Sequence, residues 1–306
     1  MTTHSLTEPS PPVASPRPPR ILVFDSGVGG LSVLTEIRAR IPYCELVYAC
    51  DNAAFPYGTK GEQELVERVD VVLKRLIRDI FPDIVVVACN TASTVALPRI
   101  RAHFRNPVVG VVPAIKPAAL SSRSRVIGLL ATPGTVARPY TQRLIDDFAS
   151  HCTIHRLGTR RLVEIAEDKL RKKAPDLGEI RDIISPLFAE PDLDTIVLAC
   201  THFPLLRAEL AAAAPRAVQW VDSGEAIARR VLDLLSSTDY LNRDQPLTDG
   251  FDCWFTADDK ALAALREGLQ AFGARTLRTI PGLTLTTGQT IPDAVQTPCP
   301  STLPPQ

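Results

Sequence analysis

Two stretches of this 306-residue sequence end an apolar run in a cysteine. One is Ile84-Val85-Val86-Val87-Ala88-Cys89-Asn90-Thr91-Ala92-Ser93; the other is Ile196-Val197-Leu198-Ala199-Cys200-Thr201-His202-Phe203-Pro204. A short continuous run of this kind reads as a strand buried on both faces. Each cysteine then stands where a parallel strand gives way to its loop, the edge at which open α/β sheets bind ligands. A thiol serves as a general acid or base once its pKa is tuned from a free value of about 8.5. Two thiols on two equivalent strands describe a site with one thiol on each side. His202, two residues beyond Cys200, is placed to orient or activate that thiol. Asp25, at the end of a neighbouring strand, is placed to do the same for Cys89. Ser26, Asn90, Thr91 and Thr201 supply neutral hydrogen-bonding groups.

Plainer readings stand beside these. A lone cysteine at a strand end is usually core, and it is the matched pair that moves Cys89 and Cys200 from packing to chemistry. Cys44, Cys50, Cys152, Cys253 and Cys299 read as structural. His202, and Asp25 with Ser26, serve equally well as helix caps on sequence alone. The Gly27-Val28-Gly29-Gly30 turn frees backbone N–H groups at a helix start, which suits a carboxylate as well as a phosphate. It matches neither glycine-rich nucleotide pattern, so nucleotide binding is not expected.

The elements that must position these groups alternate. Ile21–Phe24 reads as a strand, Leu31–Arg40 as a helix and Glu45–Cys50 as a strand. Leu65, Val69, Val72, Leu76 and Ile80 recur at helical spacing, which predicts an amphipathic helix over 62–80. The Cys89 strand, a helix to Phe104 and a strand at Val108–Val112 follow. Strand–helix alternation implies a parallel sheet with right-handed crossovers. The pattern then restarts, because Ile127–Thr135 resembles Ile21–Gly29. Asp25 to Ala131 is an offset of 106 and Cys89 to Cys200 one of 111, which suggests an internal duplication. Further on, the expected elements are a helix near Leu205–Ala213, a strand at Val218–Val221 and a helix capped by Ser223. A strand at Phe251–Thr256 and a helix at Asp258–Phe272 end the series. The fold class is α/β: two related α/β domains with mainly parallel sheets and the active site between them.

Composition narrows the function. Lys plus Arg and Asp plus Glu are both 34, so no strongly basic surface points to nucleic acid. Seven scattered cysteines do not form a disulfide framework, and without a CxxC pair no structural zinc site is expected. A reducing, cytoplasmic location follows. No apolar run approaches the roughly 18 residues of a membrane span, and no signal-peptide core is visible at the N-terminus.

At this level of detail the residues resemble a known family. Phe24-Asp25-Ser26-Gly27-Val28-Gly29-Gly30, Asp51-Asn52-Ala53-Ala54-Phe55-Pro56-Tyr57-Gly58, Val87–Ser93 and Ala199–Leu206 look like the four motifs of bacterial glutamate racemases, in the family's order. Gly110–Ala118 is similar to the enterobacterial-type branch, and Ala199 replaces the commoner glycine. The resemblance runs from about Arg20 to Phe272 and implies a cofactor-independent, two-base inversion of glutamate, with no metal. It implies that Cys89 handles the D-enantiomer's proton and Cys200 the L-enantiomer's, with Asp25 and His202 assisting. Asp25, Ser26, Tyr57, Gly58, Asn90, Thr91, Thr201 and His202 then hold the substrate. The implied domains are 20–112 with 222–285, and 113–221. Composition, not the resemblance, predicts the tails: Pro, Ser and Thr make 1–19 a disordered tail, and Thr, Pro and Gln make 286–306 a loose one. Removal of both tails is expected to leave activity intact. The partners implied are glutamate, a homodimer and a peptidoglycan-precursor activator, whose site the sequence does not place. A non-catalytic amino-acid-binding module and a single-thiol isomerase or decarboxylase are the rival readings; neither needs both thiols.

Overall fold

In the computed structural model, the described residues are 17–236, 250–258 and 260–280. Most of the two expected tails and Cys299 lie outside them. The sheet pairing begins before residue 20, since Glu45 N–H donates to the Pro19 carbonyl at 2.8 Å and Arg17 bonds Asp83. The first half runs β1 (Arg20–Asp25), α1 (Leu31–Arg40), β2 (Glu45–Cys50), α2 (Glu62–Ile80), β3 (Ile84–Val87), α3 (Asn90–His103) and β4 (Val108–Gly110). The second runs α4 (Ile115–Ser121), β5 (Val126–Ala131), α5 (Pro133–Ala137), α6 (Pro139–Ala149), β6 (Thr153–Gly158), α7 (Arg161–Leu170), α8 (Leu177–Phe188), β7 (Thr195–Leu198), α9 (Arg207–Ala213) and β8 (Gln219–Val221). The chain then returns through α10 (Gly224–Ser236), β9 (Phe251–Phe255), α11 (Lys260–Ala271) and β10 (Ala274–Thr279).

Alternation along the strands explains the layers. In β1, Leu22 and Phe24 face one side, where Leu65, Val69, Val72, Leu73, Leu76 and Ile80 of α2 cover them. Ile21 and Val23 face the other, against Leu31, Leu34 and Ile37 of α1 and Ile227 and Val231 of α10. The helix over 62–80 thus buries the face that its periodicity predicts, and Phe81 ends it in a left-handed conformation (φ 53°). All of β3 is buried, as four consecutive β-branched residues between two helical layers require.

Two all-parallel sheets result, ordered β10-β9-β2-β1-β3-β4 and β6-β5-β7-β8. The core of the first, β2-β1-β3-β4, has the connectivity of the whole of the second. The correspondence holds at single hydrogen bonds. Ala88 N–H donates to Phe24 O at 2.7 Å in one sheet, and Ala199 N–H donates to Leu130 O at 2.8 Å in the other. Asp51 N–H donates to Asp25 O as Thr159 N–H does to Ala131 O, both at 2.9 Å. The two offsets read from the sequence therefore align equivalent positions of two related halves.

Three local expectations change. The segment after Cys200 is a 3-10 turn (Phe203–Leu206) leading into α9, not one helix from Leu205. Ser223 precedes α10, yet its hydroxyl donates to the Val112 carbonyl rather than capping the helix; the two chain crossings between the halves are tied there. β10 was not expected: Ala-Arg-Thr-Leu-Arg-Thr has little apolar alternation because it is an edge strand, half-exposed beside β9.

Candidate active site

Asp25 closes β1, Cys89 follows β3 and Cys200 follows β7, so all three stand at carboxyl ends of central strands. The two sheets turn these ends toward one another. Between them lies a cavity of about 190 Å³. All ten residues expected at the site line it: Asp25, Ser26, Tyr57, Gly58, Cys89, Asn90, Thr91, Cys200, Thr201 and His202. The two sulfurs belong to nearly closed surroundings, with Cys89 6% and Cys200 7% exposed.

On the Cys89 side, Ser26 Oγ is 4.0 Å from the sulfur. Asp25 is fully buried and accepts from Ser26 N–H at 2.6 Å and, across the cleft, from the Thr201 hydroxyl at 3.0 Å. Burial holds the Asp25 carboxyl above its ordinary range, with the His202 charge opposing. Burial, and then the Asp25 charge, push the Cys89 thiol well up. Neither Asp25 nor Ser26 caps α1, whose first position has no side-chain cap.

The Cys200 side carries the opposite charge. His202 Nδ1 is 3.9 Å from the Cys200 sulfur, and Nε2 donates to Glu167 Oε1 at 3.0 Å. His202 makes no cap to the following turn. Glu167, on α7, also accepts from Val28 N–H at 2.9 Å and from Arg171 at 3.1 Å. The glycine turn does hold an anion, as its free N–H groups suggest, and that anion is this internal carboxylate. Burial disfavours a charged imidazole, but the hydrogen bonds with Cys200 and Glu167 outweigh it and push His202 up to about 10. Burial likewise opposes the Glu167 charge, while His202, Val28 N–H and Arg171 bring its pKa down.

Glu167 has no signal in the sequence, since it belongs to a helix with no motif around it. The cavity also takes Phe55, Thr132, Thr135, Arg160, Val163 and Glu164. Thr132 had a signal: the repeat that aligns Asp25 with Ala131 aligns Ser26 with Thr132.

Comparison with known proteins decides the family. The Asp/Glu/Hydantoin racemase family profile matches residues 32–231. A glutamate racemase of Klebsiella pneumoniae is 48% identical over 272 residues, covering 88% of this chain and 95% of that protein. One of Vibrio cholerae is 52% identical over 223 residues, 73% of this chain and 83% of that protein. The chain belongs to the glutamate racemases. The crystal structure of the Escherichia coli glutamate racemase, in complex with L-glutamate and the activator UDP-MurNAc-ala, superposes with a TM-score of 0.80. It has 46% identity and covers 86% of this chain and 98% of that one. The family is that of an amino-acid isomerase. Among the described residues no helix is long and apolar enough to cross a membrane.

Two expected results follow for this racemase. A Cβ on Gly29 would stand 2.5 Å from His202 Nδ1 and 2.5 Å from Thr201 Oγ1, and only glycine lets the two halves meet there. Gly29→Ala should reduce the initial rate about a hundredfold by displacing His202 and Thr201, with an unchanged far-ultraviolet circular dichroism spectrum. The second concerns pH. His202 binds its proton more tightly folded than unfolded, where its pKa is about 6.5. Its stabilising contribution is therefore complete below about 6.5 and is lost as pH rises through about 10. Urea midpoints measured from pH 6 to 10.5 should fall across that window in the native chain. The fall should be smaller in Glu167→Gln, which keeps an acceptor for Nε2 but removes the carboxylate charge that helps raise the His202 pKa.

Proposed function

We propose that Cys89 and Cys200 are the two bases that invert the α-carbon of glutamate, each serving one face. Inversion by proton exchange needs a base on one face and an acid on the other. One cavity with a thiol from each half meets that need, and this is the observation that carries the reading. A thiolate takes the α-proton of one enantiomer, and the opposite thiol gives its proton to the carbanion. Protonation of the two sulfurs is thereby exchanged, leaving the enzyme ready for the product enantiomer. Cys89 serves D-glutamate and Cys200 serves L-glutamate in this assignment. The His202 imidazolium, charged through Glu167, keeps a proton within reach of Cys200, and Asp25 with Ser26 governs the proton of Cys89. Asn90, Thr91, Thr201, Ser26 and the Tyr57-Gly58 turn hold the substrate, and Thr132 and Thr135 extend that polar wall into the second half. Residues 20–112 with 222–285 form one domain and 113–221 the other.

The product reading is D-glutamate for peptidoglycan synthesis, made in the cytoplasm. It is supported by the Escherichia coli relative, whose crystal structure holds the activator UDP-MurNAc-ala. A similar precursor as activator and a homodimer belong to the same reading, and nucleic acid has no part in it. Incubation of the purified chain with L-glutamate or L-aspartate in deuterium oxide, followed by chiral chromatography and mass analysis, tests the function. D-Glutamate should form from L-glutamate alone and carry solvent deuterium while the remaining substrate is still unlabelled. Racemisation of aspartate at a comparable rate, or label appearing first in the substrate, would contradict it.

A further inference from the structure

Tyr57 lines the cavity, but its hydroxyl is engaged elsewhere. It donates at 2.5 Å to Oδ2 of Asp51, a fully buried carboxylate that is not part of the cavity wall. Oδ2 also accepts from Arg68 Nε at 2.8 Å. Oδ1 accepts from Arg68 Nη2 at 2.6 Å and from the Thr256 hydroxyl at 2.6 Å. A carboxylate offers about four acceptor positions, and all are taken. Asp51 therefore has no position left for substrate or metal. The group joins three segments: α2 through Arg68, the loop after β2 through Asp51 and Tyr57, and the end of β9 through Thr256. Asn52 fastens the last junction again, accepting from Thr256 N–H and Ala257 N–H at 3.0 Å each.

A buried ion pair of this kind adds little net stability, because desolvation offsets its attraction, whereas a fully satisfied one fixes a single arrangement. What this one fixes is the turn that meets the second half. Gly58 lines the cavity beside Thr132, and its carbonyl lies 3.3 Å from where a Cβ on Gly134 would stand. A shift of the turn would move the cavity wall that Tyr57 and Gly58 form.

We propose that Asp51 and Arg68 are positioning residues whose bidentate pair, completed by Thr256, holds Tyr57 and the Pro56–Gly58 turn at the distance from Thr132 that glutamate binding requires. This rests on the racemase reading of the cavity and assigns the brace to substrate binding rather than proton transfer. Such a brace acts on both enantiomers through the cavity wall they share, although Tyr57 itself lies on the Cys89 side.

Steady-state kinetics with L- and D-glutamate, together with α-deuterium isotope effects, test it in Tyr57→Phe, Asp51→Asn, Arg68→Lys and Arg68→Met. KM should rise about tenfold for both enantiomers, as for one lost positioning interaction. The kcat values should change by less than about threefold, and the isotope effects should be unchanged. Arg68→Lys should recover part of the KM effect of Arg68→Met, because an ammonium restores the charge but not the fork. If Arg68→Met fails to fold, Tyr57→Phe carries the test, since it removes one donor of four and no charge. A wild-type KM in Tyr57→Phe overturns the proposal, and so does a lowered kcat with altered isotope effects at unchanged KM. Loss of the racemase reading itself would show separately, as a native chain that fails to racemise glutamate in the same assay.

Discussion

Replacing Cys89 or Cys200 by alanine is expected to abolish glutamate racemisation, a loss of more than about 10⁴-fold in either variant. The size follows from the mechanism, because with one thiol missing the group placed to exchange the α-proton on that face is gone, and Asp25 or His202 stands behind the vacated position rather than in it. Both cysteines are more than nine-tenths buried, and their replacement by a smaller apolar residue leaves the surrounding hydrogen bonds of Asp25 and His202 with their other partners intact. The variants should fold, as circular dichroism and thermal unfolding will show, and should still bind glutamate. Racemisation by either variant above about one per cent of the native rate would place the proton transfers elsewhere.

Asp25→Asn and His202→Asn should each slow turnover by about 10²–10⁴-fold, the usual contribution of a group that tunes a proton transfer. The two enantiomers have equal free energy in water, so kcat/KM is the same in both directions for any variant. Asymmetry must therefore appear in kcat and in the isotope effects. His202→Asn should alter the α-deuterium effect most for L-glutamate, whose proton is assigned to Cys200. Asp25→Asn should do so for D-glutamate, assigned to Cys89. Asp25 also accepts the Thr201 hydroxyl from the opposite half, so its variant should show a raised KM as well. Near-native kcat in both variants would reduce the two residues to structural supports of the loops they occupy.

Much of this site was readable from the sequence because the same local rules apply twice. An apolar run ending in cysteine sets a strand, its burial and the sheet edge at once, and its repetition pairs the two edges. Asp25, Ser26, Asn90, Thr91, Thr201 and His202 were within reach because each lies within two residues of a strand end or of a cysteine. Glu167 was not, since its role depends on α7 crossing behind His202, a tertiary event with no local pattern. The Asp51–Arg68 pair was hidden for the same reason: Arg68 sits among the polar-looking positions of an amphipathic helix, and only the fold shows that it is buried. Ser223 was misread because its hydroxyl had a better acceptor in Val112, on a chain crossing 111 residues away. β10 escaped because an edge strand lacks the alternation that marks a covered one.

The assignment of one thiol to each face is tested most directly by a glutamate analogue with a leaving group at Cβ. Once its α-proton is removed, the carbanion can expel that group, so elimination needs one thiol where racemisation needs two. Cys89→Ala should eliminate from the L-analogue through Cys200, and Cys200→Ala from the D-analogue through Cys89, each leaving the other enantiomer untouched. Elimination by both variants from the same enantiomer, or by neither from any, would contradict the two-thiol arrangement.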